Sequence, residues 1–434
     1  MRRFEFLAFE FVTAGKQCMF QGRLSIGKDI HLAQSCDLQL EVMRKNRAQC
    51  ARDIANLVDD FSHPKEGLKA LQSILALSEQ SANLLIRHPS FQYWSRAVKR
   101  KSDEHALEFR RRLADELQSI VWAITGVEFA DEVSWNVVAD YRGGLRALPL
   151  GCYIELGEKF AGRKLMLRTA DDHVHVLADG MPLCTLQMAD DKSGNPTLVA
   201  LSENVEVVRH PRIFFGACEV GSRDPWLRVR LTGSNQRRDG ADVFGVDDLS
   251  YNVSRRNESI EPAAQLICDM WPEAARDIAT FTSVIVPYWR TPPDNSSFSV
   301  GTRQGAIYIS EGSPQQVAEA LLHENAHVKL RQMQAIDNLL RYPRDDRVTI
   351  KVPWRPDPRP LPGVFEGMFV FAHISEFCVR LSRATSVASE RARELVGSLR
   401  DVYHQFTDKA QMTNEGDNFL NELGVWIEDI RARC

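Results

Sequence analysis

Apolar residues at helical spacing recur from about residue 31 to 130, for instance at Leu68, Leu71 and Leu75 and again at Leu113, Leu117 and Val121, which predicts a helical layer. From about 133 to 235 the pattern shortens to β-rich runs at 152–156, 164–167, 173–177, 205–208 and 226–231. Turn residues such as Asp179-Gly180 and Gly194-Asn195-Pro196 separate them, as strands joined by tight turns require. The polar, glycine-punctuated stretch 233–259 reads as a linker or mobile loop. Helical spacing then returns at 263–271 and 274–281, followed by strand-like runs at 283–287 and 305–310 and a helix over about 314–332. Ser313 as N-cap and Pro314 at the first helical position mark where that last helix begins. The pattern therefore predicts an α+β chain, mostly helical, in three regions. These are a helical amino-terminal region 1–130, a β-rich region 131–240 suited to peptide recognition by strand addition, and a helical metal-binding region 256–434.

The helix over 314–332 carries the segment His323-Glu324-Asn325-Ala326-His327. Histidines four residues apart on a helix lie one above the other on one face, where both imidazoles can reach a single metal ion. The flanks Ala320, Leu321, Leu322, Ala326 and Leu330 would bury the helix, and burying two histidines and a carboxylate without a metal or charge partner is costly. Imidazole suits zinc, iron, copper and nickel alike, so the pair points to a metal without identifying it. A third protein ligand is expected from the helix predicted over 364–381, which offers Glu366, His373 and Glu376. Glu366 is preferred, because two histidines and a carboxylate leave open positions on zinc or iron. His373, seven residues on and so on the same face, is the alternative.

Between those helices, residues 353–363 read PWRPDPRPLPG. So many prolines exclude a helix or central strand and make a stiff loop. Its Arg355 and Arg359 suit the binding of a carboxylate beside a metal, because guanidinium presents a planar fork to it. Trp354, Tyr308, Phe365 and Phe369 are candidate walls of a dry pocket, and Lys329, by helical geometry, points away from the metal face as a solvated charge.

Composition narrows the functional classes. The 54 Lys and Arg nearly balance 58 Asp and Glu, so no global field draws the chain to nucleic acid or an anionic membrane. Glu5 and Glu10 interrupt the apolar start MRRFEFLAFEF, against a secretory signal, and no run approaches a membrane span. Nine cysteines occur singly, without a C-x-x-C pair, which predicts reduced thiols and a cytoplasmic protein. His173 and His175 alternate on one strand face as a minor candidate for a second metal site.

Taken together, LLHENAHVKL followed by PWRPDPRPLPGVFEGMFVFAHISEF resembles the H-E-x-x-H family of peptide-modification proteins encoded with ribosomal peptide natural products. The likeness is strong over 305–377 and extends more weakly over roughly 85–382, where His88-Pro89-Ser90-Phe91 and Trp94 are similar to family positions. It implies an Fe(II)/2-oxoglutarate-dependent dioxygenase, a peptide β-hydroxylase acting on a ribosomally made precursor peptide. On that footing His323 and His327 become iron ligands and Glu324 a catalytic acid beside the metal. Arg355 or Arg359 becomes the anchor for the distal carboxylate of 2-oxoglutarate, with Trp354 and the motif's Lys329 also counted as cosubstrate-binding residues. The third ligand stays open between Glu366 and His373.

Two other readings compete. A zinc metallopeptidase processing a precursor peptide would use Glu324 as general base on a zinc-bound water. A non-catalytic peptide-binding module would hold a structural metal with a closed coordination shell.

Overall fold

The computed structural model describes residues 85–91, 118–124, 133–140, 142–148, 150–190, 196–221, 227, 258–287, 297–382 and 386–434. The start of the chain and most of the expected helical layer lie outside these residues; within that layer, 85–91 and 118–124 are helical. Almost all of 233–259, and the run 226–231 apart from Leu227, also lie outside them. No helix among the described residues is long and apolar enough to cross a membrane.

The fold is α+β. Its middle region builds a five-stranded antiparallel sheet in the order β1-β4-β5-β6-β7 from Val133–Val138, Lys164–Ala170, His173–Ala178, Met181–Asp190 and Pro196–Ala200. Alternation decides which face is inside: Trp135, Val137, Leu165, Leu167, Val174, Val176, Leu186 and Leu198 point to one buried side, as period two demands. Asp179 and Gly180, both at positive φ (51° and 79°), close the β5–β6 hairpin, the conformation an Asp-Gly turn favours. β2 (Gly144–Ala147), β3 (Cys152–Glu155) and β8 (Glu206–Arg209) form a second antiparallel sheet packed into the same core.

A third, mixed sheet has the order β12-β13-β11-β10-β9. Its strands are β9 (Arg212–Ile213), β10 (Cys218–Val220), β11 (Val284–Pro287), β12 (Phe298–Ser299) and β13 (Ala306–Ile309), with β10, β11 and β13 parallel. Chain from the 131–240 stretch thus completes the sheet of the 256–434 stretch. Among the described residues three apolar clusters result: one under the middle sheets, a larger one uniting one face of the mixed sheet with helices α1 (Ile260–Met270), α2 (Pro272–Phe281), α3 (Pro314–Gln334), α4 (Leu361–Ser382), α5 (Ser386–Thr407) and α6 (Asn414–Arg433), and a small one on that sheet's other face around Val284, Val286, Phe298 and Tyr308. The β-rich middle is joined to this sheet by a buried ion pair between Arg146 of β2 and Glu219 of β10. His210 adds a 2.7 Å contact from Nδ1 to the same carboxylate. Burial alone would raise the Glu219 carboxyl; Arg146 and His210 hold it well below the usual carboxylate range. The helical stretch 85–91 reaches α2: the Arg87 guanidinium donates to the carbonyls of Ala279 and Thr280 at 3.0 and 2.9 Å, closing the carboxyl end of α2.

Candidate metal centre

α3 starts with a complete capping box, in which Ser313 Oγ accepts from the Gln316 amide and the Gln316 side chain accepts from the Ser313 amide. Beyond it the helix is buried on nearly every side, and several of its inward polar residues are matched, although Gln332 Oε1 is buried without a partner among the described residues. Asn325 accepts from Thr282 Oγ1 at 2.9 Å, Glu319 meets Arg391 at 2.6 Å, and Lys329 meets Asp277 at 2.5 Å. The face left accessible carries His323 and His327, with side chains one third and one fifth exposed.

The two imidazoles converge. His323 Nε2 and His327 Nε2 stand 3.2 Å apart, close to the roughly 3.3 Å that separates two nitrogens sharing one tetrahedral metal at about 2.0–2.1 Å each. His327 Nδ1 faces away from that point and lies 2.7 Å from Glu366 Oε1. A ring N–H donated to a carboxylate fixes the tautomer and leaves the Nε2 lone pair for a metal. The residues present therefore fit a metal ion held by His323 and His327. Burial would raise the Glu366 carboxyl, yet the His327 hydrogen bond and the neighbouring charges of His327, Arg331 and His323 bring it down to about 2.

Glu366 was expected as a ligand, but its carboxylate stands behind His327, on Nδ1 rather than beside the converging Nε2 atoms. In this arrangement it holds the His327 ring rather than facing the point where the two Nε2 atoms converge. His373 does not approach the pair at all. It is buried among Trp271, Phe369 and Trp426 with Nδ1 on the Phe369 carbonyl at 2.8 Å. Helical spacing put it on the Glu366 face, but two turns further along that face has passed from the rim into the core. Among the described residues no three His, Cys, Asp or Glu side chains gather as a metal site. Glu324 is buried, with Oε1 3.9 Å from His323 Nε2.

Lys329 needs a correction too. It is neither solvated nor turned to a cosubstrate; it is 1% exposed, paired with Asp277, and stands 5.6 Å above the Phe281 ring. Pointing away from the metal face on a helix surrounded by protein means pointing into the core. Tyr308, Phe365 and Phe369 are likewise core, Tyr308 stacked on Phe298 and the two phenylalanines packed on Phe419. Trp354 does reach the site. It lies 4.7 Å from Phe371, whose ring meets His323 edge-on at 5.8 Å. A Cβ at Gly367 would come within 3.0 Å of the Trp354 indole nitrogen, so the glycine admits that ring. Arg355 is exposed, and Arg359, half-buried, lies 3.4 Å from Asp357.

The residue that sequence reading missed is Arg331. It stands four positions beyond His327 and eight beyond His323 on one helical face, a spacing from which it could have been found. Its guanidinium contacts Ser299 Oγ at 3.2 Å and Glu366 Oε1 at 3.4 Å. His173 and His175 stack in parallel at 6.3 Å with separate partners, Asp172 and Thr185, and do not converge. No protein-family model matches the chain, and no curated protein matches its sequence.

Proposed function

We propose that the chain is an iron(II)- and 2-oxoglutarate-dependent peptide β-hydroxylase that modifies a ribosomally made precursor peptide. The observation that carries the metal is the convergence of His323 Nε2 and His327 Nε2 at 3.2 Å. The choice of chemistry rests on the resemblance of residues 305–377. When bound, iron(II) with 2-oxoglutarate and dioxygen supplies the oxidising power for hydroxylating a side-chain β-carbon, the 2-oxo acid leaving as succinate and carbon dioxide.

The chain's own residues have the remaining tasks. Glu366 holds the His327 ring by its Nδ1 proton, and Arg331 steadies Glu366. Glu324, buried beside His323, keeps a carboxylate within reach of a metal-bound group. Arg331, 3.4 Å from Glu366, and Arg359, which the resemblance gives, are the candidates for the distal carboxylate of the 2-oxo acid. Trp354 and Phe371 shield one side of His323 from water.

The position of Glu324 also suits a general base on a zinc-bound water, which supports a zinc metallopeptidase as the second reading. Anaerobic reconstitution with iron(II), followed by 2-oxoglutarate, separates the two. The hydroxylase reading expects a weak visible charge-transfer band, absent in His323→Ala and weakened in Arg359→Ala or Arg331→Ala. Stoichiometric retained zinc with no such band would replace it with the peptidase.

A further inference from the structure

Residues 341–360 form a strap in the connection between α3 and α4, packed on α4 and α5. A short ladder of β14 (Thr349–Ile350) on β15 (Arg359–Pro360) closes its end. The strap holds six basic residues against three acidic ones, in a chain whose net charge is −4. Some of this charge is matched: Arg347 makes a two-pronged contact with Asp345 at 2.8 and 2.7 Å, Arg359 faces Asp357, and Arg341 Nε donates to the Met412 carbonyl. Arg344, Lys351 and Arg355 are exposed, and among the described residues none has an ion-pair or side-chain hydrogen-bond partner. Tyr342 beside them is 58% exposed. Exposed tyrosine with unpaired arginines is the composition of a binding surface.

Its position ties this patch to the metal pair. Trp354, between Lys351 and Arg355, is seated on Gly367 and Phe371, and Phe371 touches His323. Those two ring contacts place Trp354, the residue before Arg355, about three or four extended residues from the imidazoles, at roughly 3.3 Å per residue.

We propose that the strap docks an acidic segment of the substrate, its carboxylates against Arg344, Lys351 and Arg355, so that a residue a few positions away reaches His323 and His327. This rests on the peptide-substrate reading above. Carboxylates on a peptide suit three separated cations, and the near balance of charge over the whole chain adds no general attraction for a long polyanion.

The test uses the full chain stripped of metal with a chelator, and a short fluorescein-labelled Glu/Ser peptide beside its Gln/Ser counterpart, read by anisotropy. The acidic peptide is expected to bind about tenfold or more tightly than the glutamine peptide. The combined Arg344→Glu, Lys351→Glu and Arg355→Glu variant, with unchanged Tm, is expected to lose that preference, and added salt to erode it. Equal binding of the two peptides, or an unaltered preference in the variant, overturns the proposal. A single-stranded oligonucleotide that binds as tightly and is lost in the same variant overturns the assignment to a peptide. Because no metal is present, a failed iron reconstitution with intact acidic-peptide preference removes the hydroxylase reading alone.

Discussion

Glu366 and His373 share a helix face, yet their surroundings give them unrelated roles. Glu366 accepts a hydrogen bond from His327 Nδ1, which leaves the Nε2 lone pair free for the metal of the proposed function. Glu366→Gln keeps the shape but replaces the carboxylate acceptor with an amide, so metal affinity is expected to fall about 10- to 100-fold. Competition against a chromophoric chelator measures this; unchanged affinity would show that Glu366 does not orient the ligand. His373 is enclosed, and burial first, then the nearby Lys329 ammonium, lowers its imidazole from 6.5 to about 4. Its contribution to stability is present above pH 6.5 and is lost as pH falls towards 4, because the unfolded chain takes up the proton first. The loss amounts to about 3 kcal/mol across that window. Urea unfolding of His373→Leu at pH 7 and pH 4.5 is expected to show a correspondingly smaller decline than the parent protein; an identical decline would assign the acid sensitivity elsewhere.

Among the elements, α3 carries most of the site, and its start was legible. The sequence Ser313-Pro314-Gln315-Gln316 supplies both halves of the capping box. Ser313→Ala is expected to cost about 1 kcal/mol and a few degrees of Tm by calorimetry, without altering metal binding nearly three turns away. α4 was less legible at its start. It begins at Leu361, three residues before the predicted helix, because Pro362 sits in the first turn, where a missing amide proton costs nothing. α5 and α6 went unread, although the Thr413 cap of α6, accepting from the Gly416 amide, was a local signal. The strand pair β9 and β10 could not be assigned to its sheet, since its partner β11 lies more than sixty residues on. Nothing local specifies a parallel pairing across such a connection.

For the whole molecule, a joint between the β-rich middle and the half that carries His323 and His327 is the buried Arg146–Glu219 pair with His210. Removing one partner of a buried pair leaves the other charge uncompensated. Arg146→Met is expected to cost about 3–5 kcal/mol, with amide-exchange protection of β2 and β10 falling together. A loss confined to β2 would show that the pair does not couple the two halves.

The sequence by itself determined the α+β class, the alternating inner face of the middle sheet, the cap and course of α3, and the pairing of His323 with His327 on one face. All of these depend on period, spacing or residues within one turn, which a linear chain carries intact. Tertiary structure alone decided that Lys329 is a core residue bound to Asp277, and that Glu366 stands behind His327 while His373 lies in an aromatic box. It also brought Trp354 onto Gly367 and Phe371, beside His323. Those outcomes depend on which neighbour covers each side of a helix. Helical spacing specifies the side but not the neighbour, because packing joins residues far apart in the chain.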